Sequence, residues 1–482
     1  MRHVLTELQQ SSHLRRLLVF AEQNGVKLYA VGGTLRDICL GRPVHDVDLT
    51  SAGDVLSYTR TFASHLGAAF IPLDAARGEA RVVYRKRHTL DFAHLKGDDI
   101  IEDLHQRDFT LNALACPLKV LLTQAEPDFI DPCRGWEDMQ ERIIRMVSER
   151  SFRDDPVRLL RAFRFASTLE FTIETATLTG VVPVAFSLSE AAGERIQSEL
   201  LPLFAAPHSS VHVLTMARLG LLDVLFPELA ATRSIPPPTA DQPDLFGHAS
   251  LTYRAVEDLI NAPGSHLAAI QDTAAAYLQR QERRALVKWA ALLHATGNAG
   301  VHREAAPECQ ALPELTERSA QHWEQVGSRL KLSRRRIDYV KTLIAQHHRP
   351  FELAIAEAQG GLTPRLVYGW TKALGEDVLG VFALAIGHAQ ASGRVDTPVH
   401  GSLALGQTAA HVWDLYRHRI QPVLKGPRLV TGDDLQGIFH LTPGPRFKTL
   451  LDALELAQVE GQIHSRDEAL QWVEARLTGN GV

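Results

Sequence analysis

Two carboxylates in the first fifty residues have a spacing that could do chemistry. Asp46 and Asp48 lie two residues apart on a segment predicted as a strand, so both side chains point to one face of it. Two such charges repel each other, so the pKa of one carboxyl would be raised unless a bound cation keeps both carboxylates ionised. Oxygen ligands of this kind suit Mg²⁺, particularly where phosphates bind nearby. The pair therefore predicts a magnesium site.

A glycine turn, Gly32-Gly33, precedes the carboxylates and predicts a phosphate site. Residues 26–31 are predicted as a short buried strand and residues 34–40 as a helix, so backbone N–H groups and the positive helix end converge at the turn. Each signal is weak alone, because Asp-x-Asp is common and Gly-Gly is often only a tight turn. Their combination at this spacing is more specific.

The elements that must position these residues change character along the chain. The first third contains the predicted strands, which are 26–31, 45–50, 68–72, 80–85, 88–93 and 112–118. From about Ile143 onward the apolar spacing is helical, with no convincing strand. The proline-rich stretch 234–243 predicts an exposed loop that divides the helical part. Residues 426–432 and 443–445 interrupt a last helical segment, which is predicted to end near Leu477.

Composition limits the possible classes of protein. A chain of 482 residues with a net charge of −5 implies several domains, and a nucleic-acid partner would need a local basic surface. Candidates are the arginines between Arg142 and Arg164 and the run 329–336 with Lys341 and Arg349, for which a solvated helix face is the alternative. The four cysteines lack metal or disulfide spacing, and apolar runs are too short for a membrane span, so a soluble, cytoplasmic protein is predicted.

Motifs in residues 29–37, 46–49, 107–115, 131–145, 153–165 and 193–200 follow one another in a specific order. Together they resemble the nucleotidyltransferase branch that contains CCA-adding enzymes and bacterial poly(A) polymerases. The resemblance implies an α/β nucleotidyltransferase head, a mixed β-sheet with helices, followed by an all-helical neck, body and tail. The predicted domains are a head at 1–145, a neck at 146–205, a body at 206–400 and a tail at 401–482.

The resemblance also implies roles in the head. Asp46 and Asp48 would hold two Mg²⁺ ions, with Asp91 as a third carboxylate that orients the attacking 3′-hydroxyl; a carboxylate facing solvent is the alternative for Asp91. The triphosphate would bind Gly32, Gly33 and Arg36. Arg107 and Asp108 would contact the nucleotide, Asp108 at the ribose 2′-hydroxyl. Gln106 departs from the family pattern, which usually has an arginine there.

The neck motif would select the base. Pro156 suits the first helical position and Asp155 the N-cap. In the family the residues matching Asp155 and Arg158 hydrogen-bond to the incoming base, and Arg161 and Arg164 continue a stripe that we assign to nucleotide binding. The alternative is a capped amphipathic helix with a solvated basic face.

The second half resembles the metal-dependent HD phosphohydrolases in the order of His248, His294 and His347. The histidine-aspartate doublet of those enzymes is His294-Ala295 here, so an anionic ligand is missing. We therefore expect isolated histidines on helices, a degenerate HD-like body and no hydrolase activity.

The predicted reaction is the addition of all or part of the 3′-terminal CCA to tRNA from CTP, ATP or both, with release of pyrophosphate. A bacterial poly(A) polymerase is the first alternative, because it shares the head and neck. A hydrolase or a non-catalytic RNA-binding protein is favoured less, because Asp46, Asp48 and Asp91 are intact and residue 295 is alanine. The motifs leave open whether C, A or both are added.

Overall fold

The computed structural model describes residues 1–85, 88–235, 243–299 and 313–479. These residues belong to two compact units, Met1–Leu203 with Thr215–Leu225 and Phe204–Leu214 with Phe226–Val482. The predicted head and nearly all of the predicted neck lie in the first unit. Residues 236–242 of the predicted proline-rich loop and Cys309 lie outside the described residues.

The first unit is built around a six-stranded mixed sheet. Its spatial order is β3-β4-β5-β2-β1-β6, where β2 and β5 are parallel and the other neighbouring pairs are antiparallel. The strands are β1 Tyr29–Val31, β2 Asp46–Ser51, β3 Ala69–Asp74, β4 Glu79–Tyr84, β5 His88–His94 and β6 Ala115–Pro117. A strand overlaps each of the six predicted segments, although β1 and β6 have only three residues and are shorter than predicted. Alternating burial is clear along β4 and β5.

Alternation also explains how the sheet packs. Along β4, Ala80, Val82 and Tyr84 are buried while the intervening residues are partly exposed. Phe92 of β5 is buried as well, and its ring lies 6.4 Å from that of Phe62 on the helix Val55–Leu66. The sheet therefore buries one face against helices and leaves polar side chains on the other.

Helices fill the rest of the chain up to the proline-rich stretch. They are α1 Arg2–Gln10, α2 Ser12–Gln23, α3 Gly33–Cys39, α4 Val55–Leu66, α5 Ile100–His105, α6 Leu118–Thr123, α7 Gly135–Glu141, α8 Arg150–Asp154, α9 Val157–Leu169, α10 Thr175–Val181, α11 Gly193–Ala205, α12 Ser210–Arg218, α13 Leu221–Leu225 and α14 Pro227–Ala230. Helix α9 begins one residue later than predicted.

One prediction about this region is wrong. Two strands occur beyond Ile143, β7 Ile143–Ile144 and β8 Thr172–Ile173, and they pair in parallel. Each strand has two residues, which is too short to produce an alternating pattern in the sequence. The two strands form only because segments about thirty residues apart in the sequence meet in the folded structure.

The second unit is helical in its described residues. Its helices after the proline-rich stretch are α15 Leu245–Asn261, α16 Gln271–Leu278, α17 Gln281–Leu293, α18 Pro313–Arg329, α19 Arg334–Gln346, α20 Arg349–Ala358, α21 Pro364–Leu374, α22 Val378–Ala391, α23 Ser402–Leu415, α24 Gln421–Lys425, α25 Gly432–Gly437, α26 Pro445–Val459 and α27 Arg466–Leu477. The predicted end of the last helix at Leu477 is confirmed.

Helix α22 lies in the core of the second unit. Twelve of its fourteen residues are buried, and it packs against α15, α17 and α23. Trp289 of α17 is also fully buried and lies 5.6 Å, ring to ring, from Trp323 of α18. Among the described residues, no helix combines the length and apolar character that crossing a membrane requires.

Candidate active site

The pairing of β2 with β5 brings three carboxylates together. Asp48 is the direct neighbour of Asp91 across the parallel strands. Asp46 lies two residues before Asp48 on the same side, while the intervening Val47 is buried on the other. The predicted common face is confirmed, and Asp91 lies beside it as expected.

Asp48 is the most perturbed carboxylate of this group. Burial, together with the negative charge of Asp91, raises its pKa to about 6. Opposing this, Arg107 and Arg36 contribute positive charge, and the Thr34 N–H donates to Asp48 Oδ2 over 3.3 Å. The Asp48 N–H in turn donates to the Thr34 hydroxyl over 2.7 Å. Burial and the neighbouring carboxylate therefore both disfavour the ionised form of Asp48, and a bound cation would favour it.

The glycine turn leaves space for Asp48. Gly32 has φ +60° and ψ −128°, a conformation that residues with a Cβ avoid. A Cβ on Gly33 would lie 3.0 Å from Asp48 Oδ2, and one on Gly32 would lie 3.0 Å from Arg107 Nη1. The turn therefore brings bare backbone next to a carboxylate and an arginine.

Arg81 is a partner of the site that the sequence analysis missed. Its Nε and Nη2 donate to the two Asp91 oxygens over 2.7 and 2.8 Å. Asp91 is consequently held by a cation rather than simply turned to solvent. Arg81 and Asp91 are direct neighbours in the β4-β5 pair, so pairing the two predicted strands would have revealed the contact.

Two further arginines lie beside the turn. Arg36 donates to Asp37 and to Asn112 Oδ1, and its guanidinium lies 5.0 Å from the Phe165 ring centroid. Arg107 donates to the buried Asp103 through Nε and Nη2, over 3.0 and 2.8 Å. These contacts fix Arg36, the predicted triphosphate ligand, and Arg107, the predicted nucleotide contact, close to the carboxylates.

Asp108 is buried in a network of charges. Its Oδ1 accepts from Asn112 and from the Phe109 N–H, and its Oδ2 accepts from Arg161 Nε over 2.7 Å. Burial alone would raise the pKa of Asp108, but the charge of Arg161 and these hydrogen bonds outweigh burial and lower it. Asp108 is therefore ionised and largely satisfied by protein partners.

Glu199 of α11 completes this network and was not predicted. It accepts from Arg161 over 3.2 Å and from Arg164 Nε. Arg164 also lies 3.9 Å from the centroid of the Phe165 ring. Burial lowers the pKa of Arg164, while Glu199 opposes that effect. The alternative of a solvated arginine stripe does not describe Arg161 and Arg164, because both are held by buried acids; their role in nucleotide binding remains a prediction.

The two base-selecting candidates have protein partners as well. The Asp155 carboxylate accepts from the Val157 N–H, as an N-cap does, and from Arg195 over 2.6 Å. Arg158 donates to the Ser151 hydroxyl and backbone carbonyl and to the Gln106 carbonyl. Arg195, a further residue missed by the sequence analysis, therefore restrains Asp155 from the first turn of α11.

The segment around Asp138 positions this network. Asp138 accepts from Thr110 over 2.6 Å and from Arg145, which also pairs with Glu174. A Cβ on Gly135 would lie only 2.0 Å from the Thr110 carbonyl oxygen, so only glycine fits there. This motif, to which we assigned no chemical role, fixes the loop that carries Asp108.

In the second unit, the expectation of isolated histidines is wrong. His248 and His294 lie beside each other and beside His388, which the sequence analysis did not single out. His388 could have been noticed as a histidine in the otherwise apolar helix α22. The absence of hydrolase activity remains a prediction.

The basic run 329–336 carries few uncompensated charges. Arg329 pairs with Glu228, Arg334 with Glu324 and Asp338, and Arg336 with Glu282. The additional candidates are paired too, Lys341 with Glu324 and Arg349 with Glu352. This pattern favours the alternative of a solvated helix face.

Comparison with known families agrees with the geometry of the first unit. Residues 28–145 match the family described as poly A polymerase head domain. Residues 170–232 match the family described as probable RNA and SrmB-binding site of polymerase A. The first match contains all three carboxylates.

Several curated proteins are similar to this chain. A CC-adding tRNA nucleotidyltransferase of Geobacter sulfurreducens is 39% identical over 207 residues, 43% of this chain and 47% of that protein. An A-adding tRNA nucleotidyltransferase of Deinococcus radiodurans is 30% identical over 458 residues, 92% of this chain and 94% of that protein. The chain thus spans about half of the first relative and nearly all of the second.

Solved structures share the fold. The Thermotoga maritima CCA-adding enzyme complexed with tRNA-CCA has a TM-score of 0.63 at 20% identity, with 98% of each chain covered. A CCA-adding enzyme in complex with ATP has a TM-score of 0.64, again at 20% identity and 98% coverage of each. At this identity the likeness establishes the fold alone.

Proposed function

The chain belongs to the tRNA nucleotidyltransferase family, and we propose that it adds all or part of the 3′-terminal CCA to tRNA, using CTP, ATP or both. The main observation in support of this proposal is the group of Asp46, Asp48 and Asp91 on adjacent strands beside the Gly32-Gly33 turn. Nucleotidyl transfer requires this combination of clustered carboxylates and a backbone surface for phosphates. We also propose that the reaction takes place in the cytoplasm.

The donor set fits Mg²⁺. Asp46 and Asp48 offer carboxylate oxygens, which Mg²⁺ prefers, and a bound cation would favour the ionised form of Asp48, whose pKa is raised mainly by burial. We assign these two residues as the ligands. When bound, two Mg²⁺ ions would promote ionisation of the tRNA 3′-hydroxyl and neutralise charge on the triphosphate.

The protein's own groups would orient the reactants. Asp91, which Arg81 holds through two hydrogen bonds, would accept a further hydrogen bond from the attacking 3′-hydroxyl. Gly32, Gly33, Arg36 and Arg107 would bind the triphosphate, because they combine bare backbone with two fixed positive charges. Pyrophosphate is the leaving group.

Nucleotide selection would use the neck. We propose that Asp108 accepts from the ribose 2′-hydroxyl, and that Asp155 and Arg158 bind the base edge as an acceptor and a forked donor. Arg161 and Arg164 would act as positioning residues, since Arg161 bonds to Asp108 and both arginines bond to Glu199. The four-part division at residues 145, 205 and 400 is part of the proposal.

The direct experiment uses three tRNA substrates, ending at the discriminator base, at C and at CC. Each is incubated with the protein, Mg²⁺ and one labelled nucleotide. Incorporation of C on the first two substrates and A on the third would identify a CCA-adding enzyme; a subset would identify CC addition or A addition. No incorporation on any tRNA would overturn the proposed function.

The same assay separates the rival activity. A poly(A) polymerase would extend RNA with many adenylates and would not require a tRNA 3′ end. We expect addition to stop at or before the terminal A. A long tail, on tRNA or on an unrelated oligonucleotide, would establish the polymerase instead.

A further inference from the structure

Three ring nitrogens converge in the second unit, on helices distant in sequence. His294 Nε2 lies 3.3 Å from His248 Nε2 and 3.1 Å from His388 Nδ1, and the latter two nitrogens lie 3.2 Å apart. His294 is at the end of α17, His248 on α15 and His388 on α22. The nitrogens therefore form a nearly equilateral triangle.

Hydrogen bonding cannot satisfy all sides of this triangle. His294 Nδ1 lies 2.8 Å from the Ala291 carbonyl oxygen, which can only accept, so Nδ1 carries the proton and Nε2 presents a lone pair. The other two nitrogens each hold at most one proton when the rings are neutral. One N–H can make one well-directed bond, so at least one side of the triangle sets either two lone pairs or two N–H groups against each other.

A metal ion would accept all three lone pairs. Metal–nitrogen bonds of about 2.0–2.1 Å at tetrahedral angles place the nitrogens roughly 3.3–3.4 Å apart. The observed separations of 3.1–3.3 Å are close to this value. The three nitrogens thus occupy one face of a tetrahedron of the correct size, without rearrangement of the helices.

We propose that His248, His294 and His388 bind one divalent transition-metal ion of the Zn²⁺, Co²⁺ or Ni²⁺ class. Neutral imidazole is a borderline ligand that these ions prefer, whereas Mg²⁺ prefers oxygen. Among the described residues the group contains three histidines and no carboxylate, and alanine occupies position 295. The site is separate from the carboxylates of nucleotidyl transfer and does not depend on the proposed function.

The surroundings are prepared for such an ion. The Ala291 carbonyl fixes the His294 tautomer, a common arrangement around metal-bound histidine. His347 packs beside His294 with ring centroids 5.2 Å apart; its Nδ1 bonds to the Ile344 carbonyl, while the buried Nε2 has no hydrogen-bond partner among the described residues. Three ligands leave a fourth coordination position for water or an anion, in the neighbourhood of the His347 imidazole.

Cobalt spectroscopy on the full-length chain tests the proposal. The chain is stripped with a chelator and titrated with Co²⁺ in an excess of Mg²⁺, which occupies the carboxylate site. We expect one equivalent of Co²⁺ to produce the intense visible absorption of a four-coordinate nitrogen site, and Zn²⁺ to abolish the absorption by displacement. No such absorption in the folded wild-type chain would overturn the proposal.

Variants locate the ion. His294→Ala and His388→Ala should each weaken Co²⁺ binding by about 100-fold or more, since each removes a ligand. His411→Ala is the matched control, because His411 lies in the same unit, pairs with Glu357 and is partly exposed. Equal affinity in all three variants would place the ion elsewhere. Circular dichroism verifies folding, and His248→Gln provides a milder ligand change.

Discussion

At the scale of single residues, the carboxylates of the first unit combine a catalytic arrangement with a cost in stability. Asp48 is buried next to Asp91, whereas Asp46 is exposed at the start of β2. Because their surroundings differ, substitutions at these two positions distinguish an effect on catalysis from an effect on the stability of the fold. Asp46 can be removed without disturbing the core, while Asp48 affects both.

Asp46→Ala should abolish nucleotide incorporation and leave the fold intact. The substitution removes a proposed metal ligand that has no neighbouring replacement, and the exposed site has no packing to lose. Incorporation of labelled nucleotide into tRNA measures the effect, with Asp98→Ala as an exposed acidic control. Activity within about tenfold of wild type would contradict the metal assignment.

Asp48→Asn should inactivate the protein but stabilise it when metal is absent. The Asp48 pKa is raised from 3.8 to about 6, so ionising the carboxyl costs the folded state up to about 3 kcal/mol above pH 6. Below pH 3.8 both states are protonated and the difference disappears. The gain should therefore grow as pH rises from about 4 to 6.

Urea unfolding in a chelator at several pH values measures this difference. Asp98→Asn, in an exposed loop, should show no comparable gain. A variant that is less stable than wild type at pH 8 would show that the hydrogen bonds with Thr34 outweigh the cost of ionising the Asp48 carboxyl.

Arg158→Ala should impair base selection more than chemistry. The guanidinium is held by Ser151 and Gln106 at the edge of the site, and α9 can continue through alanine. We expect incorporation of UTP or GTP to rise relative to CTP and ATP, measured as ratios of kcat/KM. The exposed Arg150→Ala is the control, and equal losses with all four nucleotides would indicate a structural role.

At the scale of elements, α9 and α11 are joined by buried charge. Glu199 of α11 holds Arg161 and Arg164 of α9, and Arg161 extends the network to Asp108. Removing one partner of a buried pair leaves the others uncompensated, which costs more than the pair itself contributes. The motif that ends in Leu200 therefore stabilises the neck through a specific carboxylate.

Glu199→Ala should destabilise the protein by about 3 kcal/mol, because two partly buried guanidinium groups lose a shared acceptor and Arg161 keeps only Asp108. Urea unfolding measures the loss, and Glu194→Ala, an exposed residue on the same helix, should cost less than about 0.5 kcal/mol. We expect a secondary rise in KM for nucleotides as Asp108 becomes less well held. Wild-type stability would contradict the role of the network.

At the scale of the whole molecule, positive charge is locally neutralised. The chain has a net charge of −5, and acidic partners accompany most cations of the run 329–336. A strong electrostatic attraction for tRNA is therefore not concentrated there. Sequence alone could not reveal this, because Glu228 and Glu282 pair with arginines about 100 and 54 residues away.

Replacing Arg334, Arg335 and Arg336 together with alanine should leave the salt dependence of tRNA binding nearly unchanged. Each phosphate contact would contribute about 0.7–0.9 to the slope of log K against log salt. Binding titrations at several salt concentrations provide that slope. If the slope falls by the value of one phosphate contact or more, these arginines contact the RNA backbone, as the sequence analysis proposed.

The sequence by itself determined the local features of this protein. Short apolar segments located the six strands of the head, and the period of two placed Asp46 and Asp48 on one face. The order of motifs also identified the family. These features survive because a few neighbouring residues encode them, through backbone sterics and the burial of one strand face.

Only the tertiary structure decided which distant groups meet. The register of β2 against β5 set Asp91 beside Asp48, and the packing of α9 against α11 joined Arg161 and Arg164 to Glu199 in one network of charges. Likewise, His388 joins His294 across 94 residues and His248 across 140. Such contacts form only when distant segments of the chain pack their apolar surfaces together. The spacing of residues along the sequence does not show which segments will do so.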